Sequence, residues 1–442
     1  MAAVIDGRAR DTIRQLEIST PKRDRRLQVG WEGFFPYYAG YPEAFANKVL
    51  ASARLKSGAV VLDPWNGSGT TTYTAARMGY AAHGFDVNPV MVIVARARLL
   101  APSEADALRP LAAAIIGHLR VHRSITETDP LNAWFTPETA AVVRAIEEEI
   151  RRTVVGDLTV TPGGIELSRI AGTAATLYVA LFTACRSLAA PFRGSNPTWL
   201  RRPKSHEAKV QVSRGQVVRR FTENVRGMAA ALEASYYNTS EFNMVETQIK
   251  LADTATHDFT PNTVDFVLTS PPYCTRIDYT AATRVELAVL SPFLNSSDLD
   301  LSKKMIGSTR APKHEIDACA DWGSSANQFL RAVKSHSSKA SSTYYYRTHL
   351  DYFDKMSRSL KRIGAGLRPG GVAVLVVQDS YYKEIHNDLP KILGEMGAVG
   401  QLRLIRAEPF TWRHSMSRIN RHTRSYQRPS DATESVLCFT KY

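Results

Sequence analysis

Short runs of Val, Ile, Leu and Phe recur along the chain, and most end on a carboxylate, a serine or a turn. "GAVVLD" (58–63), "YAAHGFD" (80–86), "TQIKLAD" (247–253), "TVDFVLTS" (263–270), "VAVLVVQD" (372–379), "QLRLIRAE" (401–408) and "ESVLCFTK" (434–441) read as seven strands. The first, fourth and fifth are almost continuously apolar, as expected for strands covered on both faces. Between them the apolar spacing becomes helical. "TTTYTAARM" (70–78) follows a glycine turn and reads as a helix opened by threonine hydroxyls, with Gly79 as its stop. "NPVMVIVARARLL" (88–100) carries Asn88 as N-cap and Pro89 at the first helical position. "THLDYFDKMSRSLKRIGAGL" (348–367) is a long amphipathic helix, and "DLPKILGEM" (388–396) a shorter one.

Strand and helix alternate over 58–100 and again from 246 onwards. The pattern predicts an α/β protein, a Rossmann-like doubly wound seven-stranded sheet built from 58–100, 246–294 and 344–442. The alternation is lost over 101–245, which reads as a mainly helical insertion. Residues 1–57 form an N-terminal segment, and the serine-rich stretch 295–343 reads as a flexible loop. In doubly wound sheets ligands sit beyond the carboxyl ends of the strands. Three turns at such ends draw attention: those after Asp63, after Asp86 and after Thr269.

Charge changes the picture next. The formal net charge is +14. It is concentrated in two stretches: nine Lys/Arg against two Glu from Arg193 to Arg226, and seven Arg against one Glu from Arg403 to Arg428. Trp199, Phe221, Trp412 and Tyr426 are interleaved with them. Basic patches with aromatic neighbours suit a polyanion, nucleic acid above all. The four cysteines form no CxxC, so neither a zinc signature nor a disulfide framework is present, and a reducing compartment is expected. No His/Asp/Glu cluster has metal-ligand spacing, and no metal is expected. The N-terminus is charged from its start, which argues against a secretory leader. The most apolar stretch, Ile170 to Cys185, is shorter than the roughly 20 residues a membrane span needs and reads as a buried helix.

"DPWNGSGTT" (63–71) joins the first strand to the first helix. Gly67 and Gly69 allow the backbone to approach a ligand, although a generic tight turn needs no more. No lysine follows, so the turn is not a phosphate-cradling P-loop. A carboxylate at Asp63 would repel a pyrophosphate and attract an ammonium or sulfonium. Asp86 ends the second strand, where an acidic side chain commonly binds ribose hydroxyls. Asp253 ends the third, in reach of the adenine end of such a ligand or as a simple turn aspartate. The fourth strand stops on "SPPY" (270–273), because two consecutive prolines cannot donate ladder hydrogen bonds.

"DPWNGSGTT" together with "SPPY" is similar to the S-adenosylmethionine-dependent DNA amino-methyltransferases, notably the N4-cytosine type. Trp65 stands where that family usually has Phe. "YYAGYPEAFANKVLASA" (37–53) resembles the family's early helix over the methionine end of the cofactor, and "LRPGGVAVLVV" its fifth-strand region. The resemblance spans roughly half the chain. It implies a methyltransferase sheet, S-adenosylmethionine as cofactor, and methylation of an exocyclic amino group on a base flipped out of DNA. Carried over, it implies that Asp63, Pro64, Thr70 and the backbone at Gly67 and Gly69 hold the methionine end. Asp86 would hold the ribose. Ser270 and the Pro271 carbonyl would accept hydrogen bonds from the target amino group, Pro272 would stiffen the loop, and Tyr273 would stack on the flipped base. Acceptors are needed there because the amino lone pair is delocalised into the ring. The chemistry is then largely positioning.

No Pro-Cys pair occurs, so the ring carbon of cytosine is not the expected target. Serine at 270 tilts the choice toward cytosine N4 over adenine N6. An RNA substrate and a non-catalytic DNA-binding subunit remain alternatives. Within the insertion, the loop "GSNPTWLRRPKSH" offers Arg201, Arg202 and Lys204 as DNA contacts. The rivals for recognition are the stretch after Pro292 and the C-terminal arginines, among which His414 is expected to contact backbone. Arg276 and Tyr279 are candidates for the base pocket, and Arg276 equally for a phosphate. The implied partners are double-stranded DNA and, in a restriction–modification setting, a cognate restriction endonuclease. No membrane partner is implied, and a bacterial or archaeal cytoplasmic location at the nucleoid is expected.

Overall fold

A computed structural model describes residues 7–22, 34–35, 40–121, 125–156, 160–161, 164–194, 199–205, 208–236, 247–274, 279–294, 298–308, 316–412 and 432–442. All seven expected strands form and join one sheet: β1 (Val60–Asp63), β2 (Ala81–Asp86), β3 (Thr247–Leu251), β4 (Val264–Thr269), β5 (Leu367–Gln378), β6 (Leu402–Trp412) and β7 (Ala432–Lys441). Their spatial order is β6-β7-β5-β4-β1-β2-β3. β3, β2, β1, β4 and β5 pair in parallel, while β7 runs antiparallel to β5 and β6. The chain leaves β1 toward β2 and β3 on one side and later returns to β4 on the other. The order therefore reverses between β1 and β4, where a doubly wound sheet leaves a crevice.

The central strands β1, β4 and β5 are covered on both faces, and their side chains split accordingly. Val61, Phe266, Leu268, Val374 and Val376 join one apolar cluster. Their immediate neighbours Leu62, Val267, Ala373, Leu375 and Val377 join the other. This is the period-two alternation of a pleated strand, expressed without polar residues because neither face meets water. The first cluster is completed by helices α1 (Gly7–Gln15), α2 (Glu43–Ala53), α3 (Thr70–Arg77), α4 (Pro89–Arg98), α5 (Ala105–Gly117), α6 (Pro137–Ile150), α7 (Gly172–Leu188) and α8 (Arg214–Tyr236). After β4 the chain runs through α9 (Tyr279–Ala282), α10 (Arg284–Val289) and α11 (Asp298–Lys304). The second face is covered by α12 (Gly323–Ser335), α13 (Tyr346–Gly366) and α14 (Leu389–Val399).

The stretch 101–245 is mainly helical, and its helices continue the same apolar cluster as the sheet. Two buried arginines tie it to the segment after β4. Arg144 donates to Asp129, Glu147, the carbonyls of Ala288 and Val289, and the Ser291 hydroxyl. Arg186 pairs with the fully buried Glu286 at 2.7 Å. Such pairs are costly to break singly, since the partner is left buried and charged. The apolar stretch near Ile170 forms the buried helix α7, and among the described residues no helix is long and apolar enough to cross a membrane.

Three local expectations need correction. The stretch 295–343 is not simply a flexible loop, because α11 and α12 lie within it. Ala326, Phe329, Leu330 and Val333 of α12 are buried at helical spacing, a stripe masked in the sequence by the surrounding serines. "RPGG" (368–371), which stands before the run 372–379 read as the fifth strand, lies inside β5 at a shift of register: Val264 faces Leu367 and Phe266 faces Val372. The cap of α3 is Gly69 in the left-handed region, not a threonine hydroxyl. The threonines turn inward instead: Thr74 donates to the Thr70 carbonyl, and Thr72 to Asn66 Oδ1.

Candidate active site

The carboxyl ends of β1, β2, β3 and β4 open into one cleft of about 690 Å³, counted to its open mouth. Pro64 and Trp65 line it after β1, Asp86 to Asn88 after β2, Ala252 to Thr254 after β3, and Ser270 to Pro272 after β4. Met91 of α4 and the segment Lys304–Ile306 complete the wall. The cleft thus brings together Pro64, Asp86, Asp253, Ser270, Pro271 and Pro272, although 206 positions separate Pro64 from Ser270 (270 − 64).

Asp86 is held by two backbone donors. Gly67 N–H bonds Oδ2 at 2.8 Å and Asn88 N–H bonds Oδ1 at 2.8 Å. These bonds fix the first turn to the second, since Gly67 sits at φ 49°. Each carboxylate oxygen keeps a lone pair for a ligand. Asn88 caps α4 by accepting from Val90 N–H, and its amide donates to Thr283. Asp253 caps its own turn through Ala255 N–H at 2.9 Å and also lines the cleft, so both of its expected roles coexist.

Asp63 lies behind the wall rather than in it. Its Oδ1 accepts from the Thr269 hydroxyl at 2.6 Å and from Trp65 N–H at 3.2 Å. Burial pushes its carboxyl up to about 6, against the lowering effect of Thr269, Thr71 and Trp65. Burial likewise lifts Asp86 to about 6, the hydrogen bonds from Asn88 and Gly67 oppose it, and the neighbouring Asp63 charge adds to the rise. Two carboxylates of raised pKa at adjoining strand ends form a site short of a positive charge.

Gly67, Gly69 and Thr70 do not line the cleft. A side chain at Gly69 would come within 2.9 Å of Ala95 Cβ, so its glycine serves the packing of α3 against α4. The Thr70 hydroxyl accepts from Arg98 Nη1 at 3.1 Å. In the fourth turn the Ser270 hydroxyl donates to the Val376 carbonyl at 3.1 Å, and Tyr352 donates to the Pro272 carbonyl at 3.0 Å. Tyr273 is not in the lining. Its hydroxyl donates to Glu434 of β7 at 3.0 Å. The Glu434 carboxyl is itself raised by burial, with Tyr273 and then Lys22 acting against the rise.

Lys304, Met305 and Ile306 carry no sequence signal for the site, because they lie in a serine-rich stretch whose local pattern suggests a loop. Trp65 was quoted only as a departure from the family pattern, yet it forms part of the wall. Arg201, Arg202 and Lys204 are exposed. The Arg202 guanidinium lies 5.7 Å from the centre of the Trp134 ring, whose N–H donates to the Arg201 carbonyl. Arg276, His414 and Tyr426 lie outside the described residues, and of Tyr279 only the backbone is described. Among the described residues no group of three His, Cys, Asp or Glu side chains could hold a metal ion. No protein-family model and no curated protein matches the chain.

Proposed function

We propose that this protein transfers a methyl group from S-adenosylmethionine to an exocyclic amino group of a base in DNA, with cytosine N4 favoured over adenine N6. One observation carries the reading: a single cleft at the switch point is lined by Pro64, Asp86 and Asp253 and by Ser270–Pro272. The lining fits the cofactor by its chemistry. Asp86 and Asp253 supply acceptors for hydroxyl and amino groups. Pro64, Trp65, Val87 and Met91 supply apolar contact for a ring. The carboxylates, with Asp63 behind them, favour a cation.

When bound, the cofactor supplies an electrophilic sulfonium methyl. The protein's own part is to orient and to accept. Ser270 gives its one proton to the Val376 carbonyl, so its oxygen turns only lone pairs toward the cleft. An amino group placed there donates an N–H to Ser270, which draws the nitrogen lone pair out of conjugation. The Pro271 carbonyl, on the same lining turn, would be the second acceptor. The two prolines and the Tyr352 bond to Pro272 keep these acceptors from shifting, so little reorganisation remains for the transfer itself.

Incubation with methyl-labelled S-adenosylmethionine and unmethylated duplex DNA, followed by nucleoside analysis, tests this. Label in N4-methylcytosine is expected. Label in N6-methyladenine would change the base, and label in RNA alone would change the substrate. Cofactor binding without transfer to any nucleic acid would replace catalysis by a binding role.

A further inference from the structure

One helix holds two of the segments that line the cleft. On α13, His349, Tyr352 and Lys355 follow at three-residue spacing and so lie close to one face. His349 Nδ1 is 3.4 Å from Cys274 Sγ, just after the Ser270–Tyr273 turn. Tyr352 holds the Pro272 carbonyl. Lys355, almost fully buried, holds the lining segment around Lys304. Its ammonium donates to Asp351 at 2.9 Å, to the Lys303 carbonyl at 2.6 Å and to the Met305 carbonyl at 3.3 Å. Three donors thus meet three acceptors.

The wall held in this way is Lys304–Ile306. Gly307, at φ 73°, allows it to approach the turn, since a side chain there would come within 2.7 Å of the Tyr273 carbonyl. The Thr280 hydroxyl contacts Met305 Sδ at 3.1 Å, and Ser302 and Ser308 bond each other at 3.1 Å. Met305 and Ile306 are buried, while Lys304 is exposed at the mouth and is the only basic side chain among the described lining residues. The carboxylates Asp86 and Asp253 line the donor end. A lysine facing a sulfonium would repel it, so Lys304 matches an anion on the acceptor side.

We propose that Met305 and Ile306, which line the cleft together with Pro271 and Pro272, form the surface on which the acceptor base packs, and that Lys304 binds a phosphate of the target strand. This rests on the reading under Proposed function and assigns base packing to a segment other than Tyr273, whose hydroxyl is engaged by Glu434. The decisive variant is Lys304→Gln, which lies on the surface and leaves the fold intact. S-adenosylmethionine affinity by calorimetry should stay within about twofold of wild type, while the slope of log K against log salt for duplex DNA should flatten by about 0.9. Ile306→Ala, checked by thermal melting, should raise KM for DNA with the cofactor Kd unchanged. An unchanged DNA salt slope in Lys304→Gln overturns the phosphate contact. A cofactor Kd weakened more than about fivefold, with the slope intact, assigns Lys304 to the cofactor carboxylate instead. Ile306→Ala with normal KM, or folded with impaired cofactor binding, overturns the base wall. Failure of the wild type to bind S-adenosylmethionine or to methylate DNA would be a separate outcome, against the function itself.

Discussion

Asp63 is the position where function and stability should pull apart most clearly. Its carboxylate is buried, and its pKa rises from an ordinary 3.8 to about 6. Between those values the folded protein holds a proton that the unfolded chain has released. Stability from this group therefore falls as pH rises from about 4 to about 6 and stays low above that. At 1.36 kcal/mol per pH unit, the interval corresponds to about 3 kcal/mol against folding at neutral pH. Asp63→Asn keeps an oxygen for the Thr269 hydroxyl and Trp65 N–H and removes the charge. It also relieves the repulsion felt by Asp86. Urea unfolding should show the variant more stable than wild type by about 2–3 kcal/mol at pH ~8, with the gain shrinking toward zero near pH ~4. S-adenosylmethionine affinity should fall several-fold at pH ~8, since a charge behind the wall acts on the cation through space at about 1 kcal/mol. A variant that is less stable at pH ~8, or whose gain is the same at both pH values, would refute the assignment of a buried, unfavourable charge.

Other perturbations probe separate parts of the structure. Because Asp63 and Asp86 both titrate near 6, cofactor affinity should rise between pH ~5 and ~7 in calorimetric titrations, and a flat profile would contradict a role for their charge. Tyr273→Phe leaves Glu434 buried without that donor and should lower stability by about 1–2 kcal/mol in urea, while kcat for methyl transfer changes little. Gly69→Ala, at φ 79° and against Ala95, should cost about 1–3 kcal/mol in thermal unfolding, more than Gly79→Ala, which has the same φ and open space. Replacing Arg201, Arg202 and Lys204 by Gln should flatten the DNA salt slope by up to about 2.7 in filter binding, and an unchanged slope would remove that loop from the interface.

The central strands were legible because burial on both faces leaves an almost uninterrupted apolar run, while β3 at the sheet's edge keeps exposed positions among its apolar ones. The two loops that frame the cleft were legible for a different reason. Glycines and paired prolines at strand ends are punctuation that the backbone cannot ignore. What could not be read was direction. "SPPY" announces a stiff turn but not that Tyr273 points to Glu434, a residue 161 positions later. Nor does "DPWNGSGTT" say that Asp63 faces Thr269 and not the cleft. Lys304–Ile306 is held at the site by a lysine on α13 and by contacts to Thr280, and α12 hides a buried stripe among serines. These are choices of tertiary packing, settled by partners that no local window contains.

The central claim is that the donor and acceptor loops serve one cleft. Photo-crosslinking of methyl-labelled S-adenosylmethionine to the intact protein, with mapping of the labelled peptides, tests it most directly. The account predicts label on peptides spanning Asp63–Trp65, Asp86–Met91 or Ser270–Tyr273, and its loss when excess unlabelled cofactor competes. Specific label confined to peptides outside the cleft would contradict it.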